Sequence, residues 1–253
     1  MRKFIISIDA GTTSNRSILF DLKGKPVFSS QKEFTQYFPK SGWVEHNPEE
    51  IWRTTVKTLK DVIQRAKKLR GEILNIGITN QRETTVLWDK RTGKPVYNAI
   101  VWQDRRQEEF CAKLRKQNKD TMIFNKTGLL IDSYFSGTKI KWILDNVPKA
   151  KKLMNSNQLL FGTIDSFLIW RFTKGKVHAT DATNASITMI YNITSNQWDK
   201  TILKLLKIKK NILPEVKDCA DDFGQTHSSI TGKSIPINGV VGDQQSATIG
   251  QCC

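Results

Sequence analysis

An apolar run that ends in a carboxylate and a hydroxyl-rich turn opens the chain. The run FIISI (residues 4–8) leads into Asp9, which is placed to hold Mg²⁺ through water. The turn then supplies glycine, hydroxyl and guanidinium groups, from Gly11, Thr12, Thr13, Ser14 and Arg16. Glycine permits a close turn, while hydroxyls, backbone N–H groups and a guanidinium donate to phosphate oxygens. This pattern favours a phosphate-binding turn over the alternative, a plain hairpin made of ordinary turn residues.

A second polar group follows the apolar segment ILNIGIT (residues 73–79). Arg82 and Glu83 together can donate to and accept from hydroxyls, which suits a polyhydroxyl substrate. Trp102 ends another apolar run, where it can pack against a carbon skeleton, and Tyr134 offers a hydroxyl to the same pocket. The alternatives are an exposed salt-bridged turn and two ordinary core aromatics.

A third carboxylate follows the buried-strand pattern INGVVG (residues 237–242). Phosphoryl transfer to an alcohol needs a group that accepts the hydroxyl proton, and Asp243 suits the role of general base. Gln244, next to it, can orient a substrate hydroxyl. The alternative for Asp243 is a helix N-cap without catalytic meaning.

The elements that must position these residues follow from the hydrophobic pattern. Three strand-like runs before about residue 34 predict a meander, and Asn47 and Pro48 predict the start of a helix. Strand and helix patterns then alternate, with one helix capped by Asp104, whereas Asp165 and Asp181 are interpreted as cap or loop acids. The order predicts an α/β fold, a mixed sheet flanked by helices with ligands at the carboxyl ends of its strands.

Composition is that of a folded protein. The 253 residues are 38% hydrophobic and 25% charged, and Lys and Arg outnumber the acids by 40 to 24, a formal charge of +16. The densest basic clusters, residues 65–70 and 204–210, lie on amphipathic helical patterns, which makes a solvated surface a better interpretation than a nucleic-acid groove. The four cysteines show no metal-ligand spacing, and no signal peptide or membrane span is apparent. We therefore expect a cytoplasmic protein.

Eight segments, taken in order, resemble the FGGY family of carbohydrate kinases. They are IDAGTTSNRS, SGWVEHNPEEIW, IGITNQRETTVLW, NAIVWQDRR, TGLLIDSYFSGTKIKWILD, LLFGTIDSFLIW, TDATNAS and GDQQSATIGQ. The match runs across essentially the whole chain, and NQRE followed by VWQ and DSYFSGTK looks like the glycerol-phosphorylating members rather than their pentulose relatives.

The resemblance implies an actin-like, ribonuclease H-like ATPase domain that transfers the ATP γ-phosphate to glycerol, giving glycerol 3-phosphate. It implies nucleotide phosphate contacts at Thr12, Thr13, Ser14 and Arg16, with Mg²⁺ near Asp9 and Asp243 as general base. The same resemblance implies a glycerol site lined by Arg82, Glu83, Trp102, Tyr134, Asp243 and Gln244.

The resemblance also sets expectations for the extent of the protein. Residues 1–253 correspond to the N-terminal domain, and the second domain of the family is missing. The chain is thus expected to be a fragment or the product of a truncated gene, and the alternative function is a non-catalytic remnant that binds glycerol or phosphate. A full-length protein is expected to be a homo-oligomer. The segment 227–235 is short and lacks the glycine-rich loop linked to fructose 1,6-bisphosphate control in some members.

Overall fold

The computed structural model describes residues 2–253 and contains a mixed α/β fold. Its strands are β1 (Arg2–Ala10), β2 (Ser14–Asp21), β3 (Pro26–Glu33), β4 (Gln36–Tyr37), β5 (Glu45–His46), β6 (Gly71–Asn80), β7 (Val86–Asp89), β8 (Ala99–Ile100), β9 (Leu159–Gly162), β10 (Ala179–Asp181), β11 (Tyr191–Asn192), β12 (Gln197–Trp198), β13 (Glu215–Lys217) and β14 (Ile237–Gly242).

The helices begin after β5 and are interspersed among the later strands. They are α1 (Pro48–Lys68), α2 (Glu108–Lys116), α3 (Asp120–Thr127), α4 (Ser136–Asn146), α5 (Pro148–Asn155), α6 (Ile164–Phe172), α7 (Ala182–Ser186), α8 (Lys200–Leu206), α9 (Ser228–Thr231) and α10 (Asp243–Gly250), with a 3₁₀ turn at Lys210–Ile212.

The central sheet has five strands in the order β14-β6-β1-β2-β3. The predicted meander is confirmed, because β1, β2 and β3 pair antiparallel in succession. Strands β6 and β14 then add on the other side of β1 in parallel, by way of helical connections. Parallel neighbours bring their carboxyl ends to one edge of the sheet, so the segments that follow β1, β6 and β14 meet there.

Helix α1 covers one face of this sheet, and its start was readable from the sequence. The side chain of Asn47 accepts a hydrogen bond from the Glu49 amide, Pro48 occupies the first turn, and acids follow. Its apolar stripe joins the buried side chains of β1 and those of α6 in one core. A second core lies among α2 to α5 and α8. The predicted basic clusters are exposed, with their lysines and arginines on the outer faces of α1 and α8 or just beyond them.

Two predictions about acidic residues are wrong. Asp104 does not cap α2, whose N-cap is Gln107; its carboxylate is buried and pairs with Arg106 at 2.7 Å. Arg106 outcompetes the helix end for this carboxylate because it is itself fully buried and needs a counter-ion. Asp165 is neither cap nor loop acid but lies buried in the first turn of α6. Asp181 does cap α7, as predicted.

Candidate active site

The three sequence-predicted groups meet at one edge of the sheet. In the strand register, Ala10 pairs with Asn80, and Asn80 pairs with Gly242. The hydroxyl-rich turn (residues 11–14) follows Ala10, Arg82 follows Asn80 by two residues, and Asp243 follows Gly242 directly. The parallel order of β1, β6 and β14 therefore brings together segments that lie about 70 and 160 residues apart.

The hydroxyl-rich turn is closed by its own backbone. The Gly11 amide donates to the Ser14 carbonyl at 3.0 Å, and a Cβ at Gly11 would stand 3.2 Å from that same oxygen. Glycine thus fits the close approach that the turn requires. Just beyond it, Arg16 Nη2 lies 3.0 Å from Asp9 Oδ2, and both side chains are partly exposed. The turn therefore presents hydroxyls and one cation to solvent.

A charged cluster (Arg82, Glu83, Asp243 and Gln244) occupies the ends of β6 and β14. Arg82 Nη2 donates to Gln244 Oε1 at 2.6 Å, and Arg82 Nε lies 3.4 Å from Asp243 Oδ1. Arg82 is 6% exposed and Glu83 is 2% exposed, whereas Asp243 is 48% exposed. Among residues 2–253, Arg82 Nε and Glu83 Oε1 are buried without a hydrogen-bond partner. Arg82 Nε, which contacts Asp243 as an ion pair without a hydrogen bond, and Glu83 Oε1 therefore have hydrogen-bonding capacity for a polar ligand.

Trp102 joins the turn to the charged cluster. Its indole Nε1 donates to Thr12 Oγ1 at 3.0 Å, and its ring lies edge to face with that of Tyr134, with 5.8 Å between centroids. The phenol of Tyr134 has a raised pKa because of burial and the charge of Glu83. All predicted substrate residues therefore fall in one neighbourhood, and the indole connects them to the predicted phosphate residues.

Residues 4–250 match the family model described as "FGGY family of carbohydrate kinases, N-terminal domain". The chain belongs to the FGGY family. It is 56% identical over its full length to a glycerol kinase of Chelativorans sp. (strain BNC1), and 56% identical to one of Rhizobium meliloti (strain 1021). In both comparisons the chain spans 51% of the relative, so this FGGY domain covers about half the length of the curated proteins that it matches.

Solved structures of FGGY proteins show the same fold. The crystal structure of Plasmodium falciparum glycerol kinase with ADP superposes with a TM-score of 0.97 at 39% identity, over 99% of this chain and 50% of that one. A gluconate kinase from Lactobacillus acidophilus gives 0.87 at 26% identity, again over 99% of this chain and 50% of the other. The predicted actin-like, ribonuclease H-like fold is confirmed. No helix within residues 2–253 has both the length and the apolarity to cross a membrane.

Lys139 is a residue of this FGGY site that reasoning from the sequence missed. It lies fully buried on α4, where its ammonium donates to the carbonyls of Ser133, at 2.8 Å, and Tyr134. Burial lowers the pKa of Lys139 to about 7, against the charges of Glu83 and other nearby acids. The available signal was the lysine that ends the DSYFSGTK segment, directly before the apolar Ile140.

Glu83 is held in an uncommon backbone conformation. Its φ is +59°, in the left-handed region, and its carbonyl accepts hydrogen bonds from the hydroxyls of Thr85 and Ser136. Burial raises the pKa of its carboxyl to about 7, opposed by the positive charges of Arg82 and Lys139. Strained backbone at a site residue persists only where neighbouring groups fix it. The two hydroxyls supply that restraint here.

Gly242 allows the arginine to cross the end of β14. A Cβ at this position would stand 2.3 Å from Arg82 Cδ and 2.9 Å from Arg82 Cγ. A side chain there would displace the guanidinium that contacts Asp243 and Gln244. The glycine of the GDQQ segment is therefore required by the charged cluster, and not by backbone conformation.

Proposed function

We propose that this domain provides the phosphate-binding and glycerol-binding half of an ATP-dependent glycerol kinase, which forms sn-glycerol 3-phosphate. The observation that carries the proposal is Arg82, which reaches Asp243 and Gln244 across Gly242 at the sheet edge that also carries the hydroxyl-rich turn. Relatives 54–58% identical over essentially the whole chain are glycerol kinases, which favours glycerol over other polyols.

The charged cluster suits a small polyol because it offers both donors and acceptors. Arg82 Nε and the carboxylate of Glu83 are the buried groups left for substrate hydroxyls. The Trp102 and Tyr134 rings stand beside them and provide an apolar wall for the carbon chain. Gln244 orients a hydroxyl toward Asp243 in this proposal.

Asp243 acts as the general base. As the substrate hydroxyl oxygen forms its bond to the γ-phosphorus, its proton passes to the Asp243 carboxylate, and the bond from the γ-phosphorus to the bridging oxygen breaks to release ADP. Partial exposure suits this acid, because it must meet a substrate while it stays beside Arg82. The contact with the guanidinium keeps the carboxylate at the charged cluster.

Gly11, Thr12, Thr13, Ser14 and Arg16 hold the nucleotide phosphates in this proposal. Thr12 already accepts from Trp102, so its hydroxyl proton is free to donate to a phosphate oxygen. Asp9 fits Mg²⁺, since this ion takes one or two carboxylates together with water and phosphate oxygens. When bound, the ion neutralises charge that develops on the phosphates.

Two measurements test the function. The 253-residue chain, alone and joined to the C-terminal half of the Chelativorans glycerol kinase, is titrated with glycerol by calorimetry and assayed for glycerol 3-phosphate formed from ATP. We expect both forms to bind glycerol and the joined form to give product. Binding without product in the joined form would favour the non-catalytic alternative, and no binding in either form would contradict the proposal. Light scattering of the joined protein tests the proposed homo-oligomer.

A further inference from the structure

The TDATNAS segment (residues 180–186) has no role in the site described above, yet it contacts the strand end that carries Asp243. Strand β14 is the outer strand of the sheet, with β6 on one side only. On its other side the Gly242 amide donates to Thr183 Oγ1 at 2.8 Å. This bond joins the first turn of α7 to the residue that directly precedes the proposed base.

The hydroxyl of Thr183 is itself oriented by Asp181. It donates to Asp181 Oδ2, a carboxylate that can only accept, so its lone pairs remain for the Gly242 amide. The same carboxylate accepts from the Thr183 and Asn184 amides, at 2.8 and 3.2 Å. Asp181 is fully buried, and each of these bonds restricts its movement.

The segment also fixes the neighbouring strand end. The side-chain amides of Asn184 and Asn80 exchange two hydrogen bonds, at 3.0 and 3.1 Å, and Asn184 Nδ2 also donates to Asp181 Oδ1 at 2.7 Å. Asn80 is the last residue of β6, two residues before Arg82. One buried carboxylate is thereby connected to the ends of both strands that lead into the charged cluster.

Asp243 depends on this support because little else fixes it. It is the first residue of α10, and its side chain is half exposed, with only the Gln244 amide and Arg82 against its carboxylate. A displacement of about 1 Å in a catalytic group can cost on the order of 10²-fold in rate. The backbone at Gly242 therefore determines where the carboxylate stands.

We propose that Thr183 is a positioning residue for phosphoryl transfer, whose hydroxyl, oriented by Asp181, fixes the Gly242 amide and through it Asp243. The inference rests on the proposed function, since it assumes that Asp243 receives the substrate proton. It assigns to the TDATNAS segment the role of holding the base in register with Arg82.

The kinetic test uses the joined protein. Thr183→Val keeps the side-chain shape without the hydroxyl, and we expect its kcat to fall about 10- to 100-fold, with KM for glycerol within about twofold of the parent. Thr183→Ser restores the hydroxyl and should keep kcat within about threefold. Thr188→Val is the matched control, because that hydroxyl makes only local bonds away from β14, donating to the Ala185 carbonyl at 2.7 Å and accepting from the Ile190 amide at 3.4 Å.

A second readout does not depend on turnover. Amide exchange of Gly242 in the 253-residue chain should accelerate about tenfold in Thr183→Val and stay near the parent rate in Thr183→Ser and Thr188→Val. Thr183→Ala also lacks the hydroxyl, so the Gly242 amide should exchange as fast in this variant as in Thr183→Val. Agreement between the two variants excludes a folding defect that is specific to one of them.

The outcomes distinguish the proposed function from the positioning role of Thr183. A joined parent that makes no glycerol 3-phosphate overturns the proposed function. An active parent whose Thr183→Val variant keeps its kcat, or whose Thr183→Ser variant loses as much as Thr183→Val, overturns the positioning role and leaves the proposed function standing. A rise in KM with unchanged kcat also overturns it.

Discussion

The hydroxyl-rich turn and the charged cluster lie at the same sheet edge but are built in opposite ways. The turn is made of consecutive residues and closes on its own backbone, and the ion pair of Asp9 with Arg16, which flanks it, lies at the surface. The charged cluster collects residues from two distant strands and buries an arginine and a glutamate that keep unpaired polar atoms. The turn is thus formed by neighbouring residues and is exposed to water. The charged cluster is formed by residues far apart in the sequence, and its arginine and glutamate are shielded from water.

Under the proposed function, this difference assigns ligand specificity to the charged cluster. Phosphates are strongly charged, and a solvated turn with hydroxyls and one guanidinium meets them without a large desolvation cost. Glycerol is neutral, so in the proposed function it is recognised by buried donors and acceptors that are left unsatisfied in its absence, together with the apolar wall of Trp102 and Tyr134. The charged cluster therefore costs stability, and in the proposed function the binding of a polyol offsets that cost.

Asp243→Asn tests the cluster most severely. The amide keeps the size of the side chain but accepts no proton, so kcat of the joined protein should fall about 10²- to 10⁴-fold. The glycerol dissociation constant, from calorimetry, should change much less. A variant that retains more than a tenth of the parent kcat would show that another group takes the proton.

Arg82→Met and Arg16→Met form a matched pair across the two regions. Arg82→Met removes a buried cation and leaves Glu83 and Asp243 without their partner, and we expect glycerol affinity to fall about 100-fold or more. Arg16→Met should leave glycerol affinity unchanged. Calorimetry measures the glycerol affinity of both variants, and circular dichroism confirms that each is folded. Equal losses of glycerol affinity would mean that the turn and the charged cluster form one binding unit.

The same Arg16→Met variant measures the contribution of this arginine, beside the turn, to nucleotide affinity, which we expect to be smaller than that of Arg82 to glycerol affinity. Loss of one exposed charge-assisted hydrogen bond should weaken nucleotide binding about tenfold at low salt, and less at high salt because exposed charges are screened. Titration of the joined protein with ADP at two ionic strengths measures this effect. An affinity independent of Arg16 would remove that residue from the proposed phosphate site.

Glu83→Gln should give the smallest effect, seen in the pH dependence of stability. The folded-state pKa of Glu83 is raised to about 7, so its contribution to stability is full below about pH 4.5 and is lost as pH rises toward 7. The free energy of unfolding of the variant should therefore rise relative to that of the parent as pH increases from 4.5 to 7. Urea unfolding at pH 4.5, 6 and 7.5 provides the measurement, and a constant difference between the two proteins would contradict it.

The sequence predicted the local region better than the assembled one. The hydroxyl-rich turn directly follows an apolar strand pattern, so its position at a sheet edge was evident from the sequence. The bond from Trp102 to Thr12 spans 90 residues and depends on tertiary packing, which no local pattern encodes. Lys139 was missed because a lysine in a sequence usually indicates an exposed position, whereas this one is buried and donates to backbone carbonyls. Asp104 was misassigned because its carboxylate pairs with the buried Arg106 side chain and not with the start of α2.

The order of the sheet also determines the order in which the site is completed. Residues 82 and 83 emerge from the ribosome about 160 residues before Asp243, and β14 can pair with β6 only after the intervening helices have been made. Until then the edge of β6 is unpaired and the buried charges lack their last partner, a state prone to association. Synthesis of this domain therefore has an interval prone to association, which lasts until β14 pairs with β6.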